Sequence, residues 1–445
     1  MNHLEFALHF AEHVEIGVLY GFVCLLVNLS LMRRHIYSIF DPLLFYAVLS
    51  AMGGAVVLYL QHFELIRPFY FWSYLATQAS FTLGFLLIHP PAALRSLRPT
   101  LPPTYSGPIR VLYPLSVVLF VASQLSAYAV TGLPIFLESR LEAFSTGGGF
   151  GILSRVILVT SSISLVCAFY RLLMLQLSRA SRAFDYGVVL FCIAVALVSG
   201  SKGALLVLVF TVSLAMFFAR RFHGAVQAEA RVRRYLLALI GLAFPVAFVT
   251  IYLQAGIDNP LELASVVAMR FFQTGEIYFM VYPGDVLQRL QDGNGLLALL
   301  YSPLGSLRLV PREYLPVNLG LQAFWYHYDT SLLAGPNARH NVFGLHYFGP
   351  LMSVVFSFLL GLLFSLARNT TYRRLPSTPV GMNLYVLIVG CAVYIEQDVA
   401  GQALEYFFSV VLIFPLLYAV SYLISPTRLR RSRPHDRRLA MAPTN

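Results

Sequence analysis

The chain is short of charge, has a single lysine and carries only four cysteines in 445 residues. Asp, Glu, Lys and Arg together make up 11% of it, against 58% hydrophobic residues. A soluble domain carries roughly 25% charged residues, so this chain has too few to cover a globular surface. The cysteines, Cys24, Cys167, Cys192 and Cys391, all fall in apolar stretches and show no C-x-x-C spacing. They form no disulfide framework and read as small buried hydrophobes. HExxH, a Walker loop, GxSxG and a DxD-type pair in the large loop are all missing, so no metal or cofactor site is expected. No 20–50-residue repeat is visible. Residues Met1 to His13 contain no Lys or Arg and no small-residue cleavage site. They make a poor signal peptide, and the first helix is expected to stay in the mature protein.

What the chain does have is long apolar runs, each near the roughly 20 residues a helix needs to cross the hydrocarbon core. Helices are the expected spanning element because lipid cannot satisfy a bare backbone, and barrel strands would alternate in short segments. The pattern places about 11 transmembrane helices near 14–32, 41–60, 68–89, 111–130, 152–175, 184–200, 203–219, 235–254, 347–367, 381–397 and 404–424. The fold expected is an all-α polytopic membrane protein. The net charge of +11 does not point to nucleic acid, because arginines gather in alternate connections. Those connections and the tail hold 21 of the 31 basic residues and four of the 20 acidic ones. The positive-inside rule then puts the N-terminus outside and the C-terminus in the cytoplasm. Four regions follow: helices one to eight in 1–254, a large outer loop at 255–346, helices nine to eleven in 347–424, and a basic tail at 425–445. The loop is rich in aromatics and broken by Gly and Pro, so it is expected to fold, partly against the membrane interface.

Three places could carry chemistry. Lys202, the only lysine, sits between Gly200 and Gly203 in SGSKGALL, with Ser199 and Ser201 as hydroxyl donors. It is either an anion-binding group or a lysine snorkelling from an ordinary turn. Arg270 lies in the apolar run AMRFFQTGEIY, and Arg289, Arg308, Arg312 and Arg339 follow in the same loop. Arginine offers a planar fork for phosphate; the plainer reading pairs Arg270 with Glu276. In ARHNVFGLHYFGP, His340 is a candidate general base beside Arg339, with Asn341 as a helix cap. The alternative is a histidine bonded to lipid or backbone at the interface. Glu396 and Asp398, in YIEQDVAG, read as a helix end meeting water. The helices are otherwise nearly free of charge, Arg171 being the main exception.

SGSKGALL, RFFQTGEIYFMVYP and HNVFGLHYFGPLMSVVFSFLLGLL occur in that order. Together with the helix layout they resemble the Wzy-type O-antigen polymerases and, more distantly, the O-antigen ligases. The resemblance implies a metal-independent glycosyltransferase of GT-C-like architecture in the bacterial inner membrane, working at the periplasmic face. Its substrate would be an undecaprenyl-pyrophosphate-linked oligosaccharide, with membrane lipids as surroundings and a polysaccharide chain-length regulator as a further partner. By that resemblance Lys202 and Arg270 stand at basic positions of the family, and His340 matches the histidine of the ligases' HN motif. Where this chain has Lys202 the family more often has arginine. The roles implied are pyrophosphate binding by Lys202, Arg270 and Arg339, and activation of the acceptor hydroxyl by His340. Arg312, Glu276, Ser199, Ser201 and Asn341 are the accompanying candidates for substrate binding. A ligase, a lipid-linked glycan flippase and a scaffold for export machinery are the competing expectations.

Overall fold

The computed structural model describes residues 1–38, 41–90, 105–136, 150–199, 204–222, 232–242, 271–330 and 332–425, with single positions between 243 and 270. Among the described residues the regular structure is entirely helical. Helices α1 (His3–Glu12), α2 (Val14–Met32), α3 (Pro42–His62) and α4 (Pro68–Leu86) come first. They are followed by α5 (Ile109–Thr131), α6 (Phe150–Met174), α7 (Arg179–Val198) and α8 (Ala204–Ala219), and residues 232–242 are helical as well. Short helices α9 (Glu276–Val281), α10 (Gly295–Leu299), α11 (Tyr301–Ser306) and α12 (Leu319–His327) structure the large loop. The last three are α13 (His340–Ser365), α14 (Pro379–Ala392) and α15 (Leu404–Ile424).

Seven helical stretches among the described residues are long and apolar enough to cross a membrane. They contain α2, α3, α5, α6, α7, α13 and α15. Helices α8 and α14 are apolar but shorter, and α4 has the length but carries Ser73, Thr77, Gln78, Ser80 and Thr82. The chain is therefore a polytopic membrane protein by length and composition. The expected helix at 235–254 is described continuously only to residue 242.

Local chemistry sets the helix starts. Asp41 accepts a bond from the Leu43 N–H at 2.9 Å, and Pro42 occupies the first turn of α3. Thr378 and Pro379 open α14 in the same way. These are the residues whose side-chain oxygens and fixed φ suit a helix N-terminus. Two apolar cores result. One joins α1–α4, α9 and both parts of α13; the other joins α5–α8, α14 and α15. Helices α4 and α13 touch through glycine: a Cβ on Gly361 would lie 1.9 Å from the Phe81 carbonyl oxygen. A Cβ on Gly84 would lie 2.2 Å from that of Phe358. Close backbone approach at small residues is how membrane helices pack without a hydrophobic drive.

Helix α13 is not one rod. Gly349 has φ 73° and precedes Pro350, and the chain reverses there. Residues 340 and 357 of a straight helix would be about 26 Å apart, yet His340 Nδ1 lies 2.9 Å from Ser357 Oγ. Phe343 and Phe348 both pack on Phe356. Residues 340–348 thus form a re-entrant arm folded against the membrane helix that follows. The hairpin folds His340, Asn341, Val342 and Phe343 into the bundle, where all four are buried.

Candidate functional site

The re-entrant arm brings a polar cluster into the middle of the helix bundle. Asn341 donates to Thr77 Oγ1 at 2.9 Å and accepts from the Tyr278 hydroxyl at 2.7 Å. Thr77 lies nine residues into α4, about 13 Å from its start at 1.5 Å per residue. His340 is fully buried, with its ring stacked on Phe81 and Nδ1 on Ser357. Arg339 Nη2 bonds Glu396 Oε2 at 2.8 Å, both side chains 1% exposed. The guanidinium lies over the Tyr278 ring. Asn341 therefore does not cap a helix start: Arg339 is the N-cap residue and makes no side-chain cap. Nor do Glu396 and Asp398 mark a helix end meeting water, since both are buried. An apolar helix followed by YIEQD reads as an emerging end only when its partner, 57 residues away in sequence, is invisible.

A cavity of about 550 Å³ opens at the loop end of the bundle, where the two cores meet. Arg155 and Ser154 of α6 line it, with Tyr301 of α11, Asn318 and Asn337 of the loop, and Asp398, Gln402 and Glu405. Arg155 is buried; it donates to Ser409 Oγ at 3.1 Å and stands 3.7 Å from Glu405 Oε1. Its guanidinium also lies over the Phe408 ring. The expectation of nearly charge-free helices is corrected here: Arg155 and Glu405 are both helical, and Arg171 is joined by a fully buried Asp185 at 2.9 Å. The short stretch SRVILV hides Arg155 because one charge does not break an apolar run. Asp398 Oδ1 accepts the Gly401 N–H at 2.7 Å, which fixes the carboxylate at the start of the turn leading into α15. Burial pushes its pKa up to about 6, the nearby Glu405 adding to the rise and the Gly401 N–H opposing it. A carboxylate tuned to this range can take a proton at neutral pH.

A second, apolar groove of about 300 Å³ runs between α6, α7 and α8. Leu158, Tyr394 and Tyr406 line both spaces, so the polar cavity and the apolar groove share a wall. Ser199 and Ala204 also line the groove; they flank the Lys202 turn in sequence. The cavity's lining can hydrogen-bond a polyhydroxylated group and hold an anionic one, while the groove suits hydrocarbon.

The expected site residues fall in different places. Lys202, Ser201 and Arg270 lie outside the described residues, and the Arg312 side chain does too, although its backbone sits in a short turn at Arg312–Tyr314. Ser199 ends α7 with its hydroxyl on the Ala196 carbonyl at 2.7 Å. Glu276 pairs with His3 Nε2 at 2.5 Å, a partner the sequence reading did not consider. Arg339, His340 and Asn341 come together in the buried cluster, and none of the three lines the polar cavity. Arg155, Asp398 and Glu405 line it instead. No three His, Cys, Asp or Glu residues are grouped to hold a metal ion among the described residues. No protein-family model matches the chain, and neither the curated proteins nor the solved structures give a match.

Proposed function

We propose that this protein polymerises undecaprenyl-pyrophosphate-linked oligosaccharide repeat units at the periplasmic face of the bacterial inner membrane. The observation that carries the reading is a cavity lined by Arg155, Asp398 and Glu405 that shares a wall with a groove lined by no charged residue, a pairing that suits an amphipathic, lipid-linked sugar. Isoprenoid burial in the groove is favourable at about 0.8 kcal/mol per CH₂. Arg155, in the cavity lining, holds the pyrophosphate. Asp398 takes the proton of the acceptor hydroxyl in place of His340, which faces Ser357 and Phe81. In the transfer, the hydroxyl oxygen bonds the donor's anomeric carbon and the bond to the pyrophosphate oxygen breaks. The leaving oxygen keeps the electron pair, and the hydroxyl proton passes to Asp398. Fixed cations in a partly dry site favour the charge that develops on the leaving group. The motif order of the O-antigen polymerases supports the same reading.

A second reading has a specific observation in its favour. The interrupted α13 and the irregular residues 393–403 meet at the buried Arg339–Glu396 pair, and broken helices meeting inside a bundle are common in transporters. Lipopolysaccharide from a strain lacking the protein separates the readings. A core carrying a single repeat unit, restored to a ladder by the wild-type chain, supports polymerisation. A bare core supports the flippase or the ligase, and an unchanged ladder removes the protein from this pathway.

A further inference from the structure

Behind the cavity wall lies an arrangement that the transfer chemistry itself does not require. Asn337 and Asp398 line the cavity from two different segments, and each has a buried charged residue two positions away: Arg339 behind Asn337 and Glu396 behind Asp398, the two being opposite in sign to each other. The Arg339–Glu396 bond is accompanied by a backbone bond from His340 N–H to the Glu396 carbonyl at 3.2 Å. Gln402 closes the other side, donating to Asn337 Oδ1 at 2.7 Å. The guanidinium rests on Gly53 of α3, where a Cβ would lie 1.6 Å from Nη1 and 2.8 Å from Cζ. Arg339 Nε and Nη1 and Glu396 Oε1 find no partner among the described residues.

A fully buried ion pair with open valences is a poor source of stability, because desolvating both charges offsets their attraction. Its better-attested use is to fix one geometry among several. Here two interrupted elements, the re-entrant arm of α13 and residues 393–403, have no continuous helix to set their relative height. We propose that the Arg339–Glu396 pair, seated on Gly53, is a positioning clamp that locks these two segments together and so sets Asp398 against the bound acceptor. The clamp touches no substrate; it acts through Asp398. The proposal rests on the cavity being the reaction site.

Purified full-length protein in proteoliposomes tests it, using Gly53→Ala, Glu396→Gln, Arg339→Lys and the double variant Gly53→Ala/Arg339→Lys. Gly53→Ala and Glu396→Gln are expected to lower kcat at least tenfold per folded molecule, with KM for the lipid-linked unit changed less than threefold. The acid limb of the pH profile should move as well, since Asp398 would face Glu405, Arg155 and Tyr301 differently. Lysine keeps the charge but vacates the Nη1 position, so Arg339→Lys should restore much of the activity of Gly53→Ala. Wild-type kcat and pH limb in Gly53→Ala and Glu396→Gln would overturn the clamp. So would a loss that merely tracks the folded yield.

A labelling experiment needs no turnover and holds even if the wild type makes no polymer. In a chain stripped of its four cysteines, Asp398→Cys should react slowly with a water-soluble maleimide, as Asp398 is 6% exposed. Adding Gly53→Ala or Glu396→Gln should speed labelling at least tenfold. An unchanged rate overturns the clamp, whereas an inactive wild type with faster labelling in the variants overturns only the polymerase reading.

Discussion

Asp398 concentrates the chemistry at the residue scale. Its pKa of about 6 lies above the ordinary carboxylate value, so the folded state holds the proton more tightly than the unfolded chain. The sign follows: between about pH 4 and 6 the folded state binds the extra proton, so stability falls as pH rises through that window. Keeping the buried carboxylate ionised at neutral pH therefore works against the folded state. Asparagine can still accept the Gly401 N–H, so Asp398→Asn should melt at a temperature equal to or above wild type at pH 7. The same variant should lose more than 100-fold in chain extension, and wild-type activity should rise with pH through about 6. Thermal melts at pH 5 and 7 and a pH–rate profile check both expectations. Little of this was legible in the sequence. YIEQDVAG gives the residue types, but burial by Tyr301 and Asn318 comes from segments far away in the chain. Arg155 was overlooked for the opposite reason, being one charge in a run that still reads as membrane helix.

At the scale of elements, continuous apolar runs were enough to locate most helices. Residues 14–32 match α2, and α15 is found within the run expected at 404–424. Residues 1–13 were read only as a poor signal peptide, and helix α1 was not placed there, although Asn2 and Glu5 form a capping box and Phe6 stacks on Phe279 at 4.1 Å. The capping spacing was readable; its docking partner in the large loop was not. The reversal at Gly349–Pro350 was written in FGP, yet proline inside an apolar run is equally compatible with a mere kink. Only the distance between His340 and Ser357 separates the two. The α4–α13 crossing gives a prediction at this level. Gly361→Ala pushes a methyl group against the Phe81 backbone, and forced overpacking costs typically about 1–3 kcal/mol. A lower melting temperature in detergent is expected, together with less α4–α13 proximity measured by paired cysteines placed along the two helices. An unchanged melt would mean that the two backbones are not in contact.

For the whole molecule, the strongest inference from sequence was the alternation of arginine-rich and arginine-poor connections, which orients every helix at once. Reporter fusions test it: alkaline phosphatase should be active at residue 64 and inactive at residue 34, while a cytoplasmic fluorescent reporter should light at the C-terminus. The opposite pattern would put the cavity on the wrong side of the membrane for periplasmic chemistry. The adjacent cavity and groove were beyond reach from the sequence, because they depend on α6, α7, α15 and the large loop meeting at one end of the bundle. The most direct test of polymerisation is the purified protein in liposomes, given only undecaprenyl-pyrophosphate-linked repeat units, with EDTA present throughout. A ladder of lipid-linked products spaced by one repeat unit, absent with Asp398→Asn and with Arg155→Ala, is the expected result. No product from a folded wild-type protein, or a ladder undiminished by both substitutions, would contradict the assignment of this cavity as a polymerase site.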